Sequence, residues 1–346
     1  MTATSASLQT VPAPFGAGGR DLDDLLAIPR MRTVVIAASK DPNAKITVLL
    51  IPAGADHPSF AVKAPTTDEA ASAIERERRI LESLARRLSH SPLLANIPRI
   101  VDTVTYQGRA GLVVTALPGT PMTSSYLRWR HTARRGAVEA DFAAARRWLA
   151  DFQTATAGPR APLDMDGGVA ERVAERFGGD ACLSFVLDRL SQIFDLLRTS
   201  ETPRTTVHGD MWCGNLLMSS GGVAGVVDWE AGAPSGEPVR DLVRFAHMYA
   251  LFLDRHTRGG RPVAGHHGLR AGKWGAGVEY ALDGSGWFPE IFRRFLRDGL
   301  SRLGASAERW REAALAGVAE VAATADDEDY ALSHLRLCAR LAGWRG

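Results

Sequence analysis

Cysteine is scarce in this chain: only Cys182, Cys213 and Cys338 occur in 346 residues, far apart and without a C-x-x-C pair. A disulfide framework or a zinc ribbon needs paired spacings, so neither is supported, and a reducing cytoplasm fits this usage. An excess of one charge is also lacking, since 41 Lys and Arg against 39 Asp and Glu leave a net of +2. With no strong run of either sign, nothing calls for nucleic acid or an anionic membrane as a partner. No apolar run reaches the roughly 18 residues of a membrane span. The opening MTATSASLQTVPAPFGAGG has neither the basic start nor the apolar core of an export signal. A cytoplasmic protein is expected.

What is present is an ordinary globular composition, 45% apolar and 23% charged, in a chain long enough for two lobes or one large domain with insertions. Residues 1–20, rich in Ala, Gly, Pro, Ser and Thr, read as a flexible leader. Strand-like runs RTVVIAAS, KITVLLI and SFAVKA follow, separated by KDPNA and PAGADHP, whose turn-forming residues predict an antiparallel meander. Residues 68–88 repeat Ile74, Leu81, Leu84 and Leu88 at helical spacing, and the strands RIVDTVTY and GLVVTAL close across QGRA. Beyond about residue 120 the pattern turns helical, with segments at 139–157, 184–200 and 239–256, and others near 289–303, 307–322 and 326–342. The pieces fit an α+β, two-lobed protein. Its first lobe, residues 21–117, is a small antiparallel sheet with one helix; its second, residues 118–346, is larger and mainly helical.

The densest chemistry lies in VHGDMWCGNLLM, residues 207–218. NLLM and VAGVVDWE flank SSGG, a turn signal that predicts a β-hairpin. Asn215 precedes the first strand and Asp228 ends the second, so pairing returns both side chains to one end, with Asp210 in the adjoining loop. One amide and one carboxylate suit Mg²⁺, which takes few protein ligands and keeps positions for water and phosphate. A third acid beside them can act as a base, and phosphoryl transfer asks mainly for positioning, charge neutralisation and a proton acceptor. Such a site also needs a cation for phosphates, which FAVKA offers as Lys63. Glu77, at the border of the buried helix stripe, is placed to hold that lysine.

HGDMWCGN followed by VVDWE, together with AVK, ERRIL and LVVTALPG, resembles the aminoglycoside phosphotransferase and choline kinase group of the protein-kinase-like fold. The resemblance runs from roughly residue 32 to 250. It implies a phosphotransferase that uses ATP or GTP with Mg²⁺ and a small hydroxylated molecule as acceptor. Asp210 would be the catalytic base, Asn215 and Asp228 the magnesium ligands, and Lys63 the α/β-phosphate lysine with Glu77 as its ion-pair partner. Thr115 to Leu117 would be the hinge that meets adenine, Val114 would line the pocket behind it, and Asp241 would be a buried acid bonded to the catalytic loop.

The turn ASKDPNA has no glycine, unlike the phosphate loop of protein kinases, and leaves Ser39 or nearby amides as phosphate contacts. No D-F-G or A-P-E equivalent is present, which argues against a protein substrate. His208 and Cys213 resemble a nucleophile pair, yet His208 in such a loop is better read as structural. His256, His266 and His267 lack the spacing of a zinc site. Residues 120–346 carry 28 basic and 28 acidic residues, so a strongly cationic acceptor is disfavoured, although DDED at 326–329 offers a local acidic patch. The segment 255–290 is the expected source of specificity. Two rival readings are a catalytically silent nucleotide-binding module and a metal-dependent hydrolase using His208 and Asp210.

Overall fold

The computed structural model describes residues 20–38 and 44–345. Residues 1–19 of the expected leader and Ser39 lie outside the described residues, whereas Arg20, the last residue of that leader, is part of a strand. The chain divides into two compact units, one from the N-terminal part through Glu75 with Arg99–Ala116, the other Arg76–Pro98 with Leu117–Gly346.

The first unit is built on a six-stranded sheet in the order β1-β5-β6-β4-β3-β2. The strands are β1 (Arg20–Asp21), β2 (Met31–Ala38), β3 (Lys45–Pro52), β4 (Phe60–Pro65), β5 (Ile100–Tyr106) and β6 (Arg109–Thr115). The predicted meander β2-β3-β4 and the hairpin β5-β6 pair antiparallel. The sheet as a whole is mixed, because the short β1 adds parallel to β5, Arg20 opposite Val104. Two residues are too few to give a period-2 signal, which is why the sequence pattern misses this strand. Alternation in β3 and β4 turns Val48, Leu50, Phe60 and Val62 inward, where Leu22 and Leu25 of α1 (Leu22–Leu26), Val104 and Val113 complete a core. That core fixes the face of β4 and hence the register of Lys63, which sits opposite Thr47 on β3 and Leu112 on β6 and is buried.

Helix α2 (Asp68–Arg87) runs from one unit into the other, whereas the sequence assigns it whole to the first lobe. Ala70, Ala73, Ile74, Ile80, Leu81 and Leu84 form its buried stripe.

The second unit carries the helices α3 (Met122–Tyr126), α4 (Arg135–Ala155), α5 (Val169–Arg176), α6 (Leu183–Arg198), α7 (Val239–Leu251), α8 (Ala276–Asp283), α9 (Trp287–Leu303), α10 (Trp310–Thr324) and α11 (Glu328–Leu341). Its strands are short: β7 (Thr120–Pro121), β8 (Arg160–Pro162), β9 (Glu201–Pro203), β10 (Thr205–Val207), β11 (Leu216–Ser219), β12 (Gly222–Val226) and β13 (Ala233–Gly236). Helix α7 is buried along most of its length, and its Phe245 and Tyr249 meet Phe142 of α4 edge to face at 5.3 and 4.9 Å. This packing makes α7 a rigid base, from which polar residues at its N-terminal half reach the loop after β10. The α+β, two-lobed class expected from the pattern is the one observed.

Candidate active site

Ser220 and Gly221 turn the chain between β11 and β12, and both have positive φ, 49° and 77°. This is what a two-residue hairpin requires, and Gly221 supplies half of it without strain. The hairpin pairs Leu216 with Val226, and the Val227 amide donates to the Asn215 carbonyl at 3.0 Å. Asn215 and Asp228 therefore bracket one end of the hairpin, as the sequence predicts. Asp228 itself takes the left-handed conformation, φ 70°. A non-glycine residue there costs energy that its surroundings must offset. The next residue, Trp229, is fully buried, meets the His208 ring at 4.6 Å in a tilted contact and donates its indole N–H to Val226 O at 2.9 Å. It anchors the segment that presents Asp228.

Three links hold the loop between β10 and β11. Asp241, in the first turn of α7 and buried, accepts the backbone N–H of His208 at 2.8 Å and of Gly209 at 2.9 Å. Burial pushes its carboxyl up in pKa, while His208 and the two amides oppose the shift. Gly209 has φ 81°, and a Cβ there would collide with the carbonyl of Ala231, so this position requires glycine. His208 Nδ1 accepts the Asp210 amide at 3.3 Å, which leaves Nε2 as the donor to Val227 O at 2.9 Å. His208 thus ties the loop to the root of the hairpin, beside Asn215 and Asp228, and is structural, as the sequence reading holds.

Asp210 stands at the centre of these links. Asn215 Nδ2 donates to the Asp210 carbonyl at 2.9 Å and reaches its Oδ2 at 3.3 Å. The amide nitrogen is spent on Asp210, so the amide oxygen of Asn215 is the atom turned elsewhere. One oxygen of an amide beside one carboxylate is a donor set that fits Mg²⁺. Among the described residues no group of three or more His, Cys, Asp or Glu side chains is placed to hold a metal ion.

Arg244 is the site residue that sequence reasoning missed. It lies one turn beyond Asp241 on α7 and donates to Asp210 Oδ1 from Nε at 3.0 Å and from Nη2 at 2.6 Å. The i to i+3 spacing of Asp241 and Arg244 in VRDLVRF was the available signal, since it puts both on one helix face.

Of Glu75, Glu77 and Glu82, only Glu77 is buried, and its Oε1 accepts the Trp229 amide at 3.2 Å. It is therefore tied to the residue that follows Asp228. Arg76 beside it donates to the Glu230 carbonyl at 3.4 Å. In the first unit, Val114 is buried near the C-terminal end of β6, and Thr115 exchanges bonds with Arg99 at 2.9 Å through N–H, carbonyl and Oγ1. Leu117 packs against Gly225 of β12 so closely that a Cβ there would lie 2.8 Å from its Cδ1. Cys213 is buried, and burial followed by Asp141 pushes its thiol up to about 12, so it is a poor nucleophile. His266 is buried and bonds Thr132 O through Nε2 at 2.9 Å.

Residues 47–272 match the model of the phosphotransferase enzyme family, APH. The chain belongs to this family. No curated protein matches it. Among solved structures, phosphotransferases of the same general fold are similar over nearly their whole length. A thermostable mutant of the aminoglycoside phosphotransferase APH(4)-Ia, in ternary complex with AMP-PNP and hygromycin B, covers 91% of this chain and 95% of its own, at TM-score 0.54 and 12% identity. The apoenzyme of the macrolide 2′-phosphotransferase MphH from Brachybacterium faecium covers 93% and 98%, at 0.52 and 15%. At such identities the likeness establishes the fold, and it agrees with the phosphotransferase resemblance read from HGDMWCGN and VVDWE. The phosphotransferase family match spans the loop between β10 and β11, the hairpin, α7 and the first half of the segment 255–290.

Proposed function

We propose that this family member is a small-molecule kinase that transfers the γ-phosphate of ATP or GTP to a hydroxyl of a non-protein acceptor. The observation that carries this reading is the contact of Asn215 with Asp210 at the root of a hairpin whose other strand leads into Asp228. In this reading it sets the proton acceptor, Asp210, beside Asn215, one of the two residues that would hold the cation.

In this reading Asp210 accepts the proton of the acceptor hydroxyl as the oxygen attacks phosphorus. Asn215 and Asp228 hold Mg²⁺, which when bound neutralises charge on the phosphate oxygens. Asp241 holds the backbone of residues 208 and 209, so that Asp210 starts in place and little reorganisation is needed at the moment of transfer. Lys63, Val114 and Thr115 to Leu117 take the nucleotide contacts that the family resemblance implies, and Glu77 acts as the acid partnering the lysine. Removing the lysine charge, Lys63→Ala, should then weaken nucleotide binding, measured by calorimetry with the nucleotide and Mg²⁺.

The test of the function is acceptor-dependent release of ADP or GDP across hydroxylated metabolites and antibiotics, with the phosphorylated product identified by mass. Nucleotide binding without consumption across a broad panel would leave only the silent-module reading.

A further inference from the structure

Beyond Asp210 and Arg244, α7 and α11 bring together a second group of side chains that the phosphoryl-transfer chemistry does not use. His247 follows Arg244 by one turn on α7, and its Nε2 lies 3.0 Å from His334 Nε2 on α11. His334 Nδ1 lies 2.9 Å from the Tyr330 carbonyl, which can only accept, so Nδ1 carries the proton. Its Nε2 is then bare and accepts from His247, whose own Nδ1 is left buried without a partner. Burial disfavours charge on both rings: it holds His334 down to about 4 and His247 well below its ordinary value, with Arg244 adding to each.

This pair supports an aromatic face. Trp274, 37% exposed, meets His334 at 4.8 Å and Tyr330 at 6.0 Å, both edge to face. Tyr330 is near enough to Arg244 and Asp210 for both charges to act on its hydroxyl, after burial, which dominates. Arg244 makes no hydrogen bond through Nη1 among the described residues and is 23% exposed. Of the acids before Tyr330, Asp327 caps α11 by accepting the Tyr330 amide at 2.7 Å, and Arg176 holds Glu328 at 2.7 Å.

We infer that this side of the site selects an uncharged hydroxylated ring, stacked on Trp274 and Tyr330, over an amine-bearing one, with Arg244 as the element that repels the amine. An ammonium near the reacting hydroxyl would face a guanidinium fixed within hydrogen-bond distance of the base, and that base is already neutralised by the pair. Ring C–H groups of an uncharged sugar or cyclitol, by contrast, lose nothing on an aromatic face and gain its contact area. The inference rests on the kinase reading for the role of Asp210, but its test does not depend on turnover.

Binding to the full chain, saturated with AMP-PNP and Mg²⁺, is measured by calorimetry for matched compounds: glucose against glucosamine, galactose against galactosamine, then myo-inositol, trehalose and uridine against hygromycin B. The uncharged members should bind at least tenfold more tightly than the amines. Trp274→Ala should weaken the best uncharged ligand at least tenfold with AMP-PNP affinity unchanged. Arg244→Gln should reduce the preference to below threefold, a change in ratio that a purely structural role would not produce. Tighter or equal binding of the amines, no binding in either class, or a Trp274→Ala protein that binds as the wild type does would each overturn the inference. The kinase reading fails separately, if compounds that bind never cause ADP or GDP release when ATP or GTP replaces the analogue.

Discussion

The two oxygens of Asp210 face neighbours of different origin. On one side Oδ2 meets Asn215, five residues away in the same loop, and the hairpin behind it is closed by a two-residue turn. On the other side Oδ1 meets Arg244, which lies 34 residues away on a helix, with the His247–His334 pair and Trp274 beyond it. The first side is made by local geometry, and each of its polar atoms can be assigned a task from the chain itself. The second is made by tertiary packing of α7 against α11 and can be altered without changing the motif. The difference suggests that the reaction is carried by the hairpin side and the choice of acceptor by the helical side.

The largest test of that division is Asp210→Asn. The amide keeps the shape but cannot take the proton, and loss of a general base typically costs about 10²–10⁴-fold. Acceptor-dependent turnover should fall about 10³-fold while nucleotide affinity, measured by calorimetry, stays within a few-fold of wild type. Normal turnover would remove the base assignment and merge the two sides into one binding surface.

The same division explains what could be read from the sequence. The placement of Asn215 and Asp228 at one end of a hairpin, with Asp210 in the adjoining loop, was legible because the turn signal SSGG and two apolar runs determine that hairpin. Glu77 was legible less directly: three glutamates competed, and burial on the stripe with Ile74 and Leu81 selects one. Arg244 was not found, because its partner lies on another element and helix periodicity says which face it occupies but not what that face meets. Strand β1 was missed for want of length. Trp274 and His334 could be seen as residues but not as neighbours, since long-range side-chain contacts leave no local pattern.

A second prediction concerns the brace of the hairpin side. Asp241→Ala leaves the buried amide of His208 and the part-buried amide of Gly209 without their acceptor, at a cost of about 1–3 kcal/mol for a fully buried group. Urea unfolding should show a loss of about 3 kcal/mol, with turnover reduced as well. Asp241→Asn, which can still accept one bond through its amide oxygen, should recover part of both. A stable but inactive Asp241→Ala protein would show that the brace acts on the loop alone.

The helical side makes its own prediction through pH. His334 and His266 are each held down to about 4, from an ordinary value near 6.5. Between those values the unfolded chain binds protons that the folded protein refuses, so the contribution of these two histidines to stability should be level above pH about 6.5 and fall as pH drops toward 4. Each histidine contributes a slope of at most about 1.4 kcal/mol per pH unit in that window. Chemical unfolding of His334→Phe should show a shallower slope by about one proton. An unchanged slope would mean that the acceptor-side pair is not neutral, and that the aromatic face carries charge.

The smallest effect is expected from Arg244→Lys, and it bears most directly on the comparison. An ammonium keeps the charge beside Asp210 but cannot place two donors on one carboxylate oxygen in the planar geometry of Nε and Nη2. If Arg244 orients the base, kcat should fall about tenfold, equivalent to about 1.4 kcal/mol, with KM for the nucleotide unchanged, because no nucleotide role is assigned to the helical side. If it acted only through its charge, lysine would serve as well and kcat would stay within about twofold. A rise in nucleotide KM instead would place Arg244 with the phosphate-binding residues, and the two sides of Asp210 would then share one task.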